Sequence, residues 1–332
     1  MAIYLSGRVL SLSASANKLL ENCRSERMTE RLVYLSGEFV VESEARISIF
    51  DAAVNLGHCV TDSSRTFQHK PFKIEQHIAR LYDSLKVARI DPGMGPAEML
   101  AVTMELLHRN LKLYNPQDDC WIVHNVSSGV VPMGPSPLQT SHATIMIANQ
   151  PLILTGWQKY YHDGCHAVTP FSRQIPSQSL DARIKNRSRM FYTLAEQEAK
   201  IVDTDAQSVI LDIDGFVAEN KGGNVFIVKD GLVRTPSSIN GLAGITRQTT
   251  LEICHSLGIP TEETRLLPYD LYTADEIFFT STPYCLMPAT RFNGLVVGDG
   301  QVGPLSKAIL QGWHELTGLD VIAQADSQMA DE

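Results

Sequence analysis

The chain has 332 residues, 44% of them apolar, which is enough material for two packed domains. Its 28 basic and 37 acidic side chains leave a formal net charge of −9, with no lysine or arginine run to track a phosphate backbone, which argues against a nucleic-acid partner. No apolar run has the length of a membrane span; the six cysteines are scattered without a CxxC pair, and the ten histidines include no HExxH motif, so the expectation is reduced thiols, a cytoplasmic setting and no catalytic metal.

Residues 1–30 read as an N-terminal extension. Ala14-Ser15-Ala16 has the form of a signal-peptide cleavage site, but no basic residue precedes the apolar stretch before it and Arg8 interrupts that stretch; Met28 is a candidate start. From Val33 the globular pattern begins, with a hairpin of Val33-Tyr34-Leu35 and Phe39-Val40-Val41 about Gly37. A long strand is expected over 56–67, then a turn at Gln68-His69-Lys70-Pro71. Ile78, Leu81, Tyr82 and Leu85 fall at i, i+3, i+4 and i+7, an amphipathic helix with Arg80 on a different face. Asp91-Pro92-Gly93 stops it, and Pro96 opens a second helix to about Leu111. Buried strands are expected over 121–126 and 143–148, joined by a loop rich in Pro and Gly over 129–141.

Residues 149–164, with their proline, two glycines, Trp157, Tyr160 and Tyr161, are the best linker candidate. Beyond them come a helix in which Met190 pairs with Leu194 and Phe191 with Ala195, strands over 206–212, 224–229, 259–266 and 276–280, and a helix over 245–257. A hairpin near 295–302 and a last helix from Pro304 close the chain. Strands and helices in two blocks predict an α+β fold: a small domain over 31–148, an interdomain loop over 149–161 and a larger mixed domain over 162–332.

Four motifs carry the chemistry: Lys185 ahead of the 190s helix, Glu219 before Gly222-Gly223, the helix start Gly244-Ile245-Thr246, and the hydroxyls of Thr280-Ser281-Thr282. An aldehyde cofactor needs an amine, its pyridine nitrogen needs a carboxylate, and its phosphate needs amides and hydroxyls, so this set suits pyridoxal phosphate. Gly298-Asp-Gly-Gln-Val-Gly303 mimics a dinucleotide loop. Pro304 follows directly and only about thirty residues remain, too few for a strand–helix–strand unit, so a hairpin turn is the better reading.

At these residues, and in their order and spacing from about residue 33 onwards, the chain resembles the fold-type IV pyridoxal-phosphate enzymes: branched-chain aminotransferases, D-amino acid transaminases, (R)-selective amine transaminases and aminodeoxychorismate lyases. The resemblance implies a two-domain protein with pyridoxal 5'-phosphate at the domain junction, and a homodimer. Lys185 would be the Schiff-base lysine and proton carrier, Glu219 the partner of the ring nitrogen, Leu242 a ring-packing residue. Gly244, Ile245, Thr246, Ser281, Thr282 and Arg80 would hold the phosphate. Thr61, Asp62, Ser128 and Trp157 are the expected substrate-pocket residues.

Three departures bear on substrate. Ser127-Ser128-Gly129 stands where many relatives have Thr-Arg-Gly, which leaves Arg65, Arg173, Arg183 and Arg187 as candidate carboxylate partners. Thr61-Asp62 replaces the aromatic–acid pair of the branched-chain enzymes and looks closer to the (R)-amine transaminases. Met190 stands at the usual tyrosine, with Tyr192 two residues on. The expected activity is ping-pong transfer of an amino group from an amino acid or primary amine to a 2-oxo acid such as pyruvate or 2-oxoglutarate. A pyruvate-eliminating lyase on the same scaffold is the alternative, and a non-catalytic cofactor-binding protein a further one.

Overall fold

The computed structural model describes residues 30–131 and 142–330, with the backbone of a short antiparallel ladder, β1 (Tyr4–Leu5) on β2 (Arg8–Val9). The signal-like Ala14-Ser15-Ala16 and most of the 129–141 loop lie outside the described residues.

The first half is a six-stranded antiparallel sheet in the order β4-β3-β8-β7-β5-β6. Its strands are β3 (Leu32–Leu35), β4 (Glu38–Val41), β5 (Cys59–Phe67), β6 (Lys70–Pro71), β7 (Cys120–Ser127) and β8 (Thr144–Pro151). A one-turn helix, α1 (Ala52–Asn55), precedes β5, and Asp51 caps it through a hydrogen bond from the Ala53 amide. Helices α2 (Ile74–Ala88) and α3 (Pro96–Asn110) cover one face of the sheet. The stripe of α2 buries Ile78, Leu81 and Leu85 as the spacing predicts, together with Ile74, against Ile122, Ile145 and Ile147. Tyr82 stays half-buried because its hydroxyl donates to the Met94 carbonyl at 2.8 Å.

Strand alternation decides what the other face presents. Thr61 pairs with Asn125, Ser63 with Val123, and Val123 with Ala148. These five side chains form one wall of a large cavity. Asp62 and His124, paired one position along, point the opposite way, under α2 and α3.

The second half is a nine-stranded mixed sheet in the order β11-β10-β9-β16-β15-β12-β13-β14, with β17 on β16. The strands are β9 (Cys165–Val168), β10 (Gln207–Leu211), β11 (Val217–Asn220), β12 (Asn224–Lys229), β13 (Leu232–Pro236), β14 (Thr261–Thr264), β15 (Glu276–Ser281), β16 (Cys285–Phe292) and β17 (Leu295–Val296). The ladders β9–β10, β9–β16 and β13–β14 are parallel and the rest antiparallel. Around them lie α4 (Thr155–Asp163), α5 (Met190–Val202), α6 (Ile245–Ser256), α7 (Pro268–Tyr272), α8 (Pro304–Thr317) and α9 (Val321–Ala330). Phe226 and Phe278 stack at 4.9 Å in a core that also holds Phe279, Ile253 and Trp313.

The loop expected over 149–161 is largely absent. Strand β8 runs to Pro151, and α4 starts at Thr155. Tyr160 and Tyr161 lie three and four residues after Trp157, which is helical spacing, and both tyrosines are buried. Gln158 and Leu154 tie this helix to α9 through Asp326 and Gln328, and Gly164 ends it at φ +71°. The expected 295–302 hairpin is shifted. β16 turns at Asn293-Gly294, both at positive φ, and β17 folds back on it. The amides of Leu305 and Ser306 opening α8 donate to the buried carboxylate of Glu276 at 2.8 and 2.7 Å. The protein's own acid therefore fills the place a phosphate would take in a dinucleotide loop.

Arg65 joins the halves. It is 1% exposed, donates to the Pro283 carbonyl at 2.7 Å and to Gln324 at 2.7 Å, and pairs with buried Asp119. Arg65→Ala leaves Asp119 buried without its counter-charge, so the midpoint of chemical denaturation should fall by the equivalent of about 3–5 kcal/mol.

Candidate active site

A cavity of ≈ 610 Å³ opens between the two sheets. Lys185 enters it from an extended segment that the small sheet captures. The Thr61 amide donates to the Lys185 carbonyl and the Arg187 amide to the Cys59 carbonyl, each at 2.8 Å, on the edge that β5 leaves free before β6 joins it. Burial pushes the Lys185 ammonium down to about 8, and the Arg80 guanidinium pushes in the same direction. Roughly a tenth of this lysine is therefore a neutral amine at pH 7, against under about a thousandth of a surface lysine.

Glu219 stands on β11, 4% exposed. One carboxylate oxygen accepts from the Leu242 amide at 2.9 Å, and the other accepts from the Gln174 amide at 3.0 Å and from the Tyr192 hydroxyl. Burial still holds its pKa above the usual carboxylate value, so a cation placed beside it would be strongly favoured. Asn220 builds its own turn: its side chain accepts from the Gly222 amide at 3.0 Å and donates to the Ser208 carbonyl at 2.8 Å.

Gly244, Ile245 and Thr246 line the cavity where α6 begins, and no side chain caps that N-terminus. A Cβ on Gly244 would come within 2.1 Å of Asn224 Oδ1, so any other residue here would have to displace the Asn224 side chain from its hydrogen bond to the Leu242 carbonyl. Ser281 and Thr282 also face the cavity, although the Ser281 proton is committed to the Gly222 carbonyl at 2.6 Å. Beside them Thr280 Oγ1 is buried, lines the cavity and has no partner among the described residues. A depressed lysine, a buried acid, uncapped helix amides and an orphaned hydroxyl thus line one cavity, and these residues fit a phosphorylated pyridine aldehyde.

Of the other expected residues, Arg80, Leu242, Thr61 and Trp157 line the cavity, whereas Asp62 and Ser128 do not. Asp62 is fully buried beneath it and accepts from Arg80 Nε and Nη2 at 2.8 and 2.9 Å and from His77 at 2.7 Å. The cause is the period-two alternation of β5, which sends Thr61 and Ser63 into the cavity and residue 62 away. Arg80 and His77 outweigh the burial and hold the Asp62 carboxyl far below the usual range. Ser128 hydrogen-bonds His58 at 2.9 Å, also outside the cavity. Among the four arginines weighed for a carboxylate, Arg65 is sealed in the joint, Arg173 donates to the Pro170 and Phe171 carbonyls, and Arg183 pairs with Asp181. Only Arg187 faces the cavity, and Arg189, not anticipated, joins it. Sequence reading also missed Gln174 and Tyr192 as partners of Glu219. The start of α5 at Met190 was the available signal for Tyr192, whereas Gln174 meets Glu219 through tertiary contact alone.

Two halves built on an antiparallel and a mixed sheet, with a lysine of lowered pKa and a buried acid lining the cavity between them, point to a cofactor-dependent enzyme of amine chemistry. Residues 60–292 match the amino-transferase class IV family. The chain is 33% identical over 287 residues to a putative branched-chain-amino-acid aminotransferase of Methanocaldococcus jannaschii, covering 86% of this chain and 96% of that protein. It is 28% identical over 295 residues to the branched-chain-amino-acid aminotransferase of Escherichia coli K12, covering 86% and 92%. A crystal structure of an Escherichia coli branched-chain amino acid aminotransferase superposes with a TM-score of 0.81 at 25% identity over 87% of this chain and 95% of that one. A T.th. branched-chain amino acid aminotransferase crystallised with pyridoxamine 5'-phosphate gives a TM-score of 0.79 at 27% identity over 88% and 96%. The chain belongs to the class IV aminotransferases, which are pyridoxal-phosphate-dependent transaminases.

Asp62→Asn removes the charge that Arg80 and His77 share, and should cost about 3–5 kcal/mol in a denaturant titration. His77→Asn, which keeps the Asp62–Arg80 pair, should cost markedly less in the same titration.

Proposed function

We propose that Lys185 attaches the cofactor and serves as its proton carrier, and that the protein moves an amino group from an amino acid to a 2-oxo acid by a ping-pong route. The observation that carries this is Lys185 held near pKa 8 in the same cavity as buried Glu219. When bound, pyridoxal phosphate supplies an aldehyde that condenses with amines and a ring that accepts electrons. Glu219 would hold the ring nitrogen, with its carboxylate aimed by Leu242, Gln174 and Tyr192. The amides of Ile245 and Thr246, the hydroxyls of Thr246 and Thr282, and Arg80 would hold the phosphate, with Gly244 and Ser281 shaping its cradle and Leu242 against the ring. Lys185 Nζ, once free, would take the proton from the substrate α-carbon and deliver it to the C4′ carbon of the cofactor. Thr61 and Trp157 wall the substrate side.

The matched relatives favour an amino acid as donor, and branched-chain side chains suit the apolar surfaces of Trp121, Val123 and Trp157. An (R)-selective primary-amine activity is the narrower reading, and the donor panel separates it. We also propose that residues 31–148 and 162–332 act as two domains with the site at their junction; two main apolar clusters support this, one under α2 and α3 and one in the mixed sheet, with Phe67 of β5 packed into the second. The active unit would be a homodimer, since Ile49, Phe50, Val54 and Leu56 expose apolar surface around α1. Five buried free cysteines suit the reducing cytoplasm.

Incubating the holoenzyme with L- and D-amino acids and (R)- and (S)-1-phenylethylamine should bleach the cofactor's absorbance, and 2-oxo acid should restore it; a panel in which no amine changes the spectrum contradicts transamination. Lys185→Ala should lose nearly all activity while keeping its melting temperature. Glu219→Gln should retain cofactor and slow the half-reaction by about 10²-fold or more. Capture of pyridoxal phosphate by the apoprotein needs the neutral amine, so its rate should climb as pH rises through about 8. A climb centred near 10, the value of an ordinary lysine, would show that Lys185 is not the group captured.

A further inference from the structure

The cavity carries more positive charge than its own acids neutralise. Arg80, Lys185, Arg187, Arg189 and Lys221 face it, against Asp181, Glu196 and Glu219. Most of these are already matched. Arg80 is paired with Asp62, Lys221 with Glu196, Asp181 with Arg183, and Glu219 is saturated by Leu242, Gln174 and Tyr192. Among the described residues no carboxylate pairs with Arg187 or Arg189. Two guanidiniums are thus brought together from one short segment, without an acid between them, on the wall that holds the lysine.

Their orientations are set, not loose. Arg187 Nε donates to Asn125 Oδ1 at 2.6 Å, which turns the guanidinium along β7, and its backbone amide is locked to Cys59. Arg189 lies 4.0 Å over the Tyr192 ring and donates to the Lys221 carbonyl. Burial, and the neighbouring Arg189 charge, act against the Arg187 cation. Placing an anion there relieves both costs, and the flat fork of a guanidinium matches a carboxylate edge to edge.

We propose that Arg187, aimed by Asn125 and backed by Arg189, binds a carboxylate of the substrate. This rests on the transaminase reading of the cavity, and it assigns the role left open by Ser128 standing where relatives have arginine. The carboxylate is either the one next to the reacting carbon or one at the far end of a dicarboxylic substrate.

The test is calorimetric binding to the holoenzyme in phosphate-free buffer, with three probes that cannot react: 4-methylvaleric acid, glutaric acid, and 4-methylvaleramide, which has the first acid's shape without its charge. Arg187→Gln should raise the Kd of the acids about tenfold or more, the loss of a charged hydrogen bond, and move the amide much less. Weakening of both acids assigns the carboxylate next to the reacting carbon; weakening of glutaric acid alone assigns the distal one. Asn125→Ala keeps the charge and loses the aim, and should weaken the same acids by a smaller factor. Equal weakening of the amide, no weakening of either acid, or acids that fail to bind the unaltered holoenzyme would each overturn the proposal. A holoenzyme that binds the acids at Arg187 yet reacts with no amine would instead refute the transaminase reading and leave the subsite standing.

Discussion

Two backbone hydrogen bonds, from Thr61 to the Lys185 carbonyl and from Arg187 to the Cys59 carbonyl, carry the active site. They bind a segment of the second half onto the free edge of a strand in the first. An unpaired strand edge is a liability that proteins cover, and here the cover is the functional segment itself. Because its backbone is held at both ends of a three-residue span, Lys185 and Arg187 present their side chains from a fixed platform. The same bonds tie the two halves together at the cavity, while buried Arg65 ties them through the Pro283 carbonyl and Gln324.

The cavity is best understood as a balance of charges in a poorly solvated space. Each fixed acid nearby has a task. Asp62 holds Arg80 from below, Asp181 pairs with Arg183, Glu196 pairs with Lys221, and Glu219 is gripped by three donors. What remains is positive, and burial makes it reactive: the same desolvation that lowers the Lys185 pKa leaves a nucleophilic amine available. A cofactor bearing a phosphate and a substrate bearing a carboxylate would bring the anions this volume lacks. Catalytic readiness and anion binding therefore share one origin.

Asp62 shows why neighbours in sequence need not be neighbours in function. Thr61 and Ser63 reach the cavity, while residue 62 between them supports an arginine from behind. The aspartate in this position thus acts on the site through Arg80 and not by contact. Trp157 shows the reverse case: a residue expected in a loop belongs to a helix, and the helix still delivers it to the cavity wall.

Local physics made the chemistry readable. A lysine before a helix, an acid before a glycine pair, an uncapped Gly-Ile-Thr helix start and clustered hydroxyls are patterns of short range, and so was the apolar stripe of α2. The sequence by itself therefore determined the class of protein, and it singled out Lys185, Glu219 and the Gly244-Ile245-Thr246 helix start, which the fold brings to one cavity. Tertiary structure alone decided which of four arginines faces the cavity, that Gln174 and Tyr192 hold Glu219, that α4 replaces a loop, and that Asp62 turns away. Those outcomes depend on strand register and on contacts between residues far apart in the chain, and no local spacing encodes them.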